Sequence, residues 1–207
     1  NLEAMAKQLY DYWFVQFDFP NADGKPYKSS GGKMVWNEKL KREIPDGWSV
    51  LPLDKVLTIK NGKDHKNLPD GLYPIYGTGG IMRYANAYLY KGESILLPRK
   101  GTLTNLMYVN QAFWTIDTMF YTEIHNANTA KYLFYAISDL NYLKLESGTG
   151  RPSMTASAYY TLSVIMPISK LLSDFETYTA TLFSCVQSNN SEISELVKLR
   201  DELLPLL

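Results

Sequence analysis

The sequence offers little sulfur or imidazole chemistry. Among 207 residues it has one cysteine, Cys185, and two histidines, His65 and His125. One cysteine cannot close an intrachain disulfide, so nothing points to an oxidising compartment. Cys185 and the two distant histidines also lack the spacing of a zinc site. No run of about 18 apolar residues occurs, so no membrane span is expected and the chain reads as cytoplasmic. Asn1-Leu2-Glu3 does not open a signal peptide. Asn1 is not a natural start, so the chain reads as a fragment, or as one lacking its first residues.

Catalytic motifs are missing as well. There is no Asn/Asp-Pro-Pro-aromatic loop with a Gly-rich cofactor strand, as a DNA amino-methyltransferase needs. Asp117, Glu123 and Glu146 are too scattered for a nuclease site. No Gly-x-Ser-x-Gly elbow is present. Gly77-Thr78-Gly79-Gly80 has no following Lys-Ser/Thr, so it reads as a tight turn and not as a phosphate loop. A non-enzyme that uses no cofactor and no metal is the expectation.

Net charge is zero, with 21 basic and 21 acidic residues. Its distribution is uneven. Residues 48–170 hold 12 basic and 8 acidic side chains, and residues 171–207 hold 2 and 6. A mildly basic middle and an acidic tail suit different partners.

The apolar pattern divides the chain into helix, mixed domain and long helix, an α+β chain. Leu2, Met5, Leu9 and Tyr12 form one stripe over residues 2–15, which ends before Pro20. Residues 1–20 are therefore a helix end. Residues 21–47 are a Gly-, Pro- and Ser-rich connector, with a short helical piece near Asn37–Glu43. Residues 48–168 are a strand-rich domain. Strands are expected at Val56–Ile59, Leu72–Tyr76, Ser94–Leu97, Leu106–Val109 and Met119–Ile124, with a last one at Ser163–Pro167. One helix, Thr129–Leu140, interrupts them.

Residues 169–207 return to helix. Phe175, Leu182, Asn189, Leu196 and Leu203 repeat every seven residues, as do Thr179, Val186, Ile193, Arg200 and Leu207. Together they make a coiled-coil seam with polar breaks at Asn189 and Arg200. The other reading is an ordinary amphipathic helix lying on its own domain. In the first reading the terminal helices bury their stripes on each other or on a partner.

The middle domain has the residue types that read DNA. Lys60-Asn61-Gly62-Lys63-Asp64-His65-Lys66-Asn67 combines phosphate-neutralising lysines with asparagines able to pair with adenine. Arg99-Lys100-Gly101-Thr102 sets two cations beside a glycine. Thr149 and Arg151 lie in a second Gly-rich loop. Tyr76, Thr78, Arg83 and Asn105 complete the candidate set. For each of these a solvated surface loop or a structural turn is the competing reading.

Taken in order, several segments resemble the specificity-subunit family of type I restriction–modification enzymes. Leu2-Glu3-Ala4-Met5-Ala6 through Phe19-Pro20 resembles the end of that family's central helix. Ile44-Pro45-Asp46-Gly47-Trp48 resembles the entrance to a target recognition domain. Gly71-Leu72-Tyr73-Pro74-Ile75-Tyr76-Gly77, Arg99-Lys100-Gly101-Thr102, Phe113-Trp114-Thr115-Ile116-Asp117-Thr118 and Gly148-Thr149-Gly150-Arg151-Pro152 resemble its recurrent turn, loops and strand. The entrance to the last helix departs from the family pattern, reading Met166-Pro167-Ile168-Ser169-Lys170-Leu171.

The resemblance implies the second half of a specificity subunit, with one target recognition domain and the last long helix. It implies double-stranded DNA, the modification subunits and, through the complex, the restriction subunit as partners. It also implies that two halves can pair as a homodimer through their helices. A non-catalytic scaffold that uses its long helix is the alternative.

Overall fold

The computed structural model describes residues 2–140, 144 and 152–204, with the side chains of residues 194, 198 and 202 set aside. The chain forms two compact units. Asn1–Gly47 with Ser169–Leu207 make one, and Trp48–Ile168 make the other.

In the first unit, helix α1 (Leu2–Tyr10) runs into one π-helical turn, Asp11–Val15. The wider turn brings the consecutive rings of Trp13 and Phe14 to the buried side together. Helix α4 (Ser169–Leu203) is 35 residues long, about 52 Å at 1.5 Å per residue. It buries Leu171, Phe175, Thr179 and Phe183, a pure i, i+4 row, together with Leu172. Phe175 is the centre of the packing. Its ring lies 5.0 Å from Phe14, 6.0 Å from Trp13 and 6.4 Å from Tyr10. The helix pairing thus uses Ala6, Tyr10, Trp13 and Phe14 of the N-terminal segment. The stripe read from the sequence lies beside that face, with Leu2 and Leu9 half-buried and Met5 54% exposed.

The 21–47 segment is more ordered than its composition suggests. Asp18 accepts from the amide and the hydroxyl of Ser29, at 2.7 and 2.6 Å. Phe19 stacks on Tyr27 at 4.5 Å. The expected helical piece at Asn37–Glu43 is a hairpin instead. Strand β1 (Met34–Asn37) pairs antiparallel with β2 (Arg42–Pro45). The Asn37 side chain accepts from the amides of Lys39 and Leu40, both at 3.1 Å, and so closes the turn. Ile44, 1% exposed, anchors the second strand.

The second unit opens and closes on one strand pair, β3 (Ser49–Pro52) against β10 (Ser163–Met166). Between them lies a six-stranded mixed sheet. Its strands are β4 (Leu57–Asn61), β5 (Asp70–Gly77), β6 (Gly80–Ala85), β7 (Tyr90–Pro98), β8 (Met107–Thr115) and β9 (Met119–Ile124). The spatial order is β4-β9-β7-β8-β5-β6, and only β5 and β8 run parallel.

Central β7 is buried continuously from Ser94 to Pro98. Ser94 is tolerated there because its hydroxyl donates to the Thr122 carbonyl at 2.8 Å and accepts the Thr122 amide at 2.9 Å. Tyr76, Leu96, Val109, Phe113 and Met119 form one core cluster. Helix α2 (Ala130–Ser138) buries Tyr132, Leu133, Ala136 and Ile137. Helix α3 (Ala156–Tyr160) starts at a Thr155 cap whose hydroxyl accepts the Ala158 amide at 3.1 Å. It fixes two strands through tyrosine hydroxyls. Tyr159 donates to the Pro98 carbonyl at 2.9 Å, and Tyr160 accepts the Ile59 amide at 2.6 Å.

Candidate nucleic-acid interface

Three loops of the second unit meet at one turn, residues 115–119, between β8 and β9. The loop after β4 docks first. The Gly62 amide donates to the Met119 carbonyl at 3.1 Å, the Lys63 amide to the Thr115 carbonyl at 2.9 Å, and the Trp114 indole N–H to the Lys63 carbonyl at 2.9 Å. The end of β5 docks next, with the Ile116 amide donating to the Tyr76 carbonyl at 3.0 Å. The loop after β7 docks third. The amides of Arg99 and Lys100 both donate to the Thr118 carbonyl, at 2.8 and 3.3 Å.

Gly62 must be glycine here. A Cβ on it would lie 1.9 Å from the Ile116 carbonyl oxygen. Asn105 joins two of the loops directly, its side-chain amide donating to the Thr78 carbonyl at 2.7 Å.

This arrangement clusters many of the residues picked out from the sequence. Lys63, Lys66, Lys100 and Thr102 are exposed on the converging loops, with Asn61 exposed at the end of β4. Lys60 lies 3.6 Å from Glu123, with both side chains about two-fifths exposed (43% and 41%). An ion pair so exposed contributes about 0–1 kcal/mol, so it holds Lys60 only loosely. Arg99 is half-buried. Its guanidinium lies over the Phe120 ring at 5.6 Å and donates to the Asp117 carbonyl at 3.4 Å. The Arg99 loop is also tied to the segment beyond residue 151. The Gly101 amide donates to Pro152 O at 3.1 Å, and the Met154 amide to Arg99 O at 2.9 Å. Asp64 sits among the lysines, and the Lys66 amide donating to its carboxylate at 3.0 Å holds its pKa below the ordinary value. It stays ionised and offsets part of the local positive charge.

Two of the residues picked out from the sequence have structural surroundings. Tyr76 is 8% exposed in the core cluster and its hydroxyl accepts from Gln111 at 3.0 Å. Burial pushes the Tyr76 phenol pKa up. Arg83 directs its guanidinium into the 65–70 segment and not outward. His65 is half-buried beside it, and Thr78 and Asn105 are half-buried at their shared contact. Thr149 and Arg151 lie outside the described residues.

The sequence reading missed the turn at 115–119 as the point of assembly. Its bonds are made by backbone carbonyls, which no residue pattern reveals. The available cues were Gly62 within the lysine loop and the Phe113–Thr118 segment, which covers most of the turn.

Among the described residues no three His, Cys, Asp or Glu side chains cluster to hold a metal ion. His125 is tied to Thr58 Oγ1 at 2.8 Å and to the Lys55 carbonyl at 3.1 Å, which joins the end of β9 to β4. No described helix is long and apolar enough to cross a membrane.

On α4, the seam residues divide into two groups. Phe175 and Thr179 are buried, and Leu182 and Val186 are half-buried, with Phe183 lying deeper than Leu182. Beyond Phe183 no described side chain of α4 is buried. Ile193, Leu196 and Leu203 are each 57% exposed. Asn189 and Arg200 are exposed too, and Arg200 bonds its neighbour Asp201 at 2.8 Å.

Comparison with known proteins agrees with this architecture. Residues 45–183 match the family described as the type I restriction modification DNA specificity domain. The type I restriction enzyme MjaIX specificity subunit of Methanocaldococcus jannaschii is 26% identical, over all of this chain and 52% of its own length. The type I restriction–modification S subunit from M. genitalium has a TM-score of 0.65 at 18% identity, covering 98% of this chain and 54% of that one. The HsdS subunit from Thermoanaerobacter tengcongensis has a TM-score of 0.50 at 13% identity, covering 99% of this chain and 50% of that one. The chain thus spans about half the length of the relatives it matches. With a strand-rich domain that lies between an N-terminal helix and a long C-terminal helix in the sequence, the chain belongs to the type I restriction–modification DNA specificity family.

Proposed function

We propose that this chain reads one part of a DNA target for a type I restriction–modification complex, in which partner modification subunits methylate and a restriction subunit cleaves. The observation that supports this best is the convergence of three loops on the 115–119 turn, with Lys63, Lys66, Arg99 and Lys100 gathered on them. Lysine and arginine neutralise phosphates and set the register of the protein on the duplex. Asn61, Thr102 and His65 supply groups for base edges, Lys60 and Thr78 border them, and Asn105 belongs to the same proposed contact set through the alignment of its two loops. Thr149 and Arg151 belong to the same proposed contact set. Tyr76 and Arg83 support the loops from behind. No cofactor enters this function, and its setting is the cytoplasm.

The exposed apolar row of α4 favours a second element of the reading. Ile193, Leu196 and Leu203, with Leu2, Met5 and Leu9 of α1, form the proposed surface for partner subunits or for a second copy of this chain. Two identical copies related by a two-fold axis would read a split palindrome. A scaffold without DNA would use the same helix surface. Selection from a randomised duplex pool, using the chain assembled with a modification subunit, separates the two readings. DNA recognition requires enrichment of one motif and binding that weakens by several powers of the salt concentration. A pool that stays random at low salt rejects it.

A further inference from the structure

Arg83 on β6 has five N–H donors, and all five are occupied within its own domain. Nε donates to His65 Nδ1 at 3.3 Å. One terminal nitrogen donates to the Asp70 carboxylate at 2.8 Å and to the Tyr84 carbonyl at 3.5 Å. The other donates to the carbonyls of His65 and Leu68, at 2.5 and 2.9 Å. The Asn86 amide, donating to the Pro69 carbonyl at 3.0 Å, secures the far end of the same segment. A guanidinium held by three short bonds and two long ones is turned toward its own domain and not presented to a phosphate or a guanine. It does fix the path of residues 65–70, the stretch that leads away from Lys63 and the 115–119 turn.

The contact with His65 has a further consequence. Arg83 Nε can only donate, so His65 Nδ1 must hold a lone pair. The ring proton of the neutral imidazole then sits on Nε2. His65 is half-buried at this edge, and its Nε2–H is a donor of the kind that pairs with purine N7 or guanine O6 in the major groove.

We propose that Arg83 is a positioning residue for DNA recognition: it braces the 65–70 segment and holds His65 in the tautomer that donates to an acceptor on a base edge. This rests on the DNA-recognition reading above and assigns a division of labour within it. A residue that acts through another changes discrimination between sequences. A residue on a phosphate changes affinity for all sequences and the salt dependence with it.

The test measures affinity for a duplex carrying the selected motif and for a shuffled duplex, over a salt series. The proteins are wild type, Arg83→Ala, Arg83→Lys, His65→Ala and the Arg83→Lys/His65→Ala double variant, each assembled with the modification subunit. Positioning predicts that both Arg83 variants lose about tenfold or more of the ratio between motif and shuffled DNA. Their salt slopes stay at the wild-type value, and lysine gives no rescue because it lacks the planar fork. His65→Ala loses a similar ratio, and the double variant loses no more than the worse single one.

A slope that falls by about one unit in Arg83→Ala and returns in Arg83→Lys would mark a phosphate contact and overturn the proposal. A His65→Ala protein that discriminates as wild type does would overturn the base-edge role. If Arg83→Ala does not fold, Arg83→Lys and His65→Ala still decide between these outcomes. Failure of the wild type to select any motif would instead reject the DNA reading itself.

Discussion

The side-chain amide of Asn105 donates to the backbone carbonyl of Thr78 at 2.7 Å, so the loop after β7 and the β5–β6 turn hold each other in place. Asn105→Ala removes one hydrogen bond of about 0.5–1.5 kcal/mol. Thermal unfolding should shift down slightly, while affinity for the motif falls several-fold, because two loops lose their mutual alignment. Melting and binding measured on the same preparation check this.

Gly62→Ala should cost more stability than any lysine substitution in its loop. The new Cβ would meet the Ile116 carbonyl at 1.9 Å, so the 115–119 turn must shift. A loss of about 1–3 kcal/mol is expected in denaturant unfolding. Lys63→Gln, one residue on, should leave the unfolding midpoint unchanged.

Lys100→Ala should weaken binding to motif and shuffled DNA alike. Its side chain is exposed, and among the described residues its hydrogen bond is made by its amide, donating to the Thr118 carbonyl at 3.3 Å. The slope of log affinity against log salt should fall by about one unit, measured by titration over a salt series. Arg99→Ala should also lower affinity without unfolding the domain, since its guanidinium makes one 3.4 Å bond and lies over one ring.

Phe175→Ala should unfold the helical unit most readily. Phe175 is 1% exposed and touches Tyr10, Trp13 and Phe14. A loss of about 3–5 kcal/mol is expected from removing a buried ring. Leu196→Ala, at a position 57% exposed, should leave unfolding unchanged and reduce only self-association or partner binding. Circular dichroism melts and sedimentation separate the two effects.

The Asp18–Ser29 contact predicts a local response to acid. The Ser29 hydroxyl and amide, donating to its carboxylate, hold the Asp18 pKa below its ordinary value. A depressed folded pKa adds stability above the unfolded value, near 3.9, and that stability is lost as pH falls through the folded value. Amide exchange at Ser29 should therefore speed up below about pH 4 more than its chemical rate explains, and Asp18→Asn should remove this pH dependence.

Much of the fold was legible because long-range burial followed local pattern. Met119–Ile124 reads as a strand with its observed ends, and the final helix is readable from its apolar repeat. Other features were not. Strand β6 has the edge position of the sheet and exposes Ile81, Met82 and Tyr84, so it shows no inward–outward alternation. The segment Asn37–Glu43 has a helix-like composition, and the Asn37 side chain turns it into a hairpin. The π-helical turn at Asp11–Val15 has no simple period to betray it. In the proposed interface, cations and asparagines could be picked out by residue type. The difference between a residue facing outward and one spent within the domain could not. Lys63 and Arg83 look alike in the sequence, and only the bonds of Arg83 to His65, Leu68 and Asp70 separate them.

Sequence recognition on behalf of a methylating complex is the role proposed for this chain. The most direct measurement expresses it with a modification subunit in a host free of other methylation and maps methylated bases across the genome. Sequence recognition by this chain requires one recurrent motif, split and palindromic where two copies pair through their helices, which disappears when the chain is withheld. A soluble, assembled complex that leaves the genome unmethylated, or methylates without regard to sequence, would contradict it.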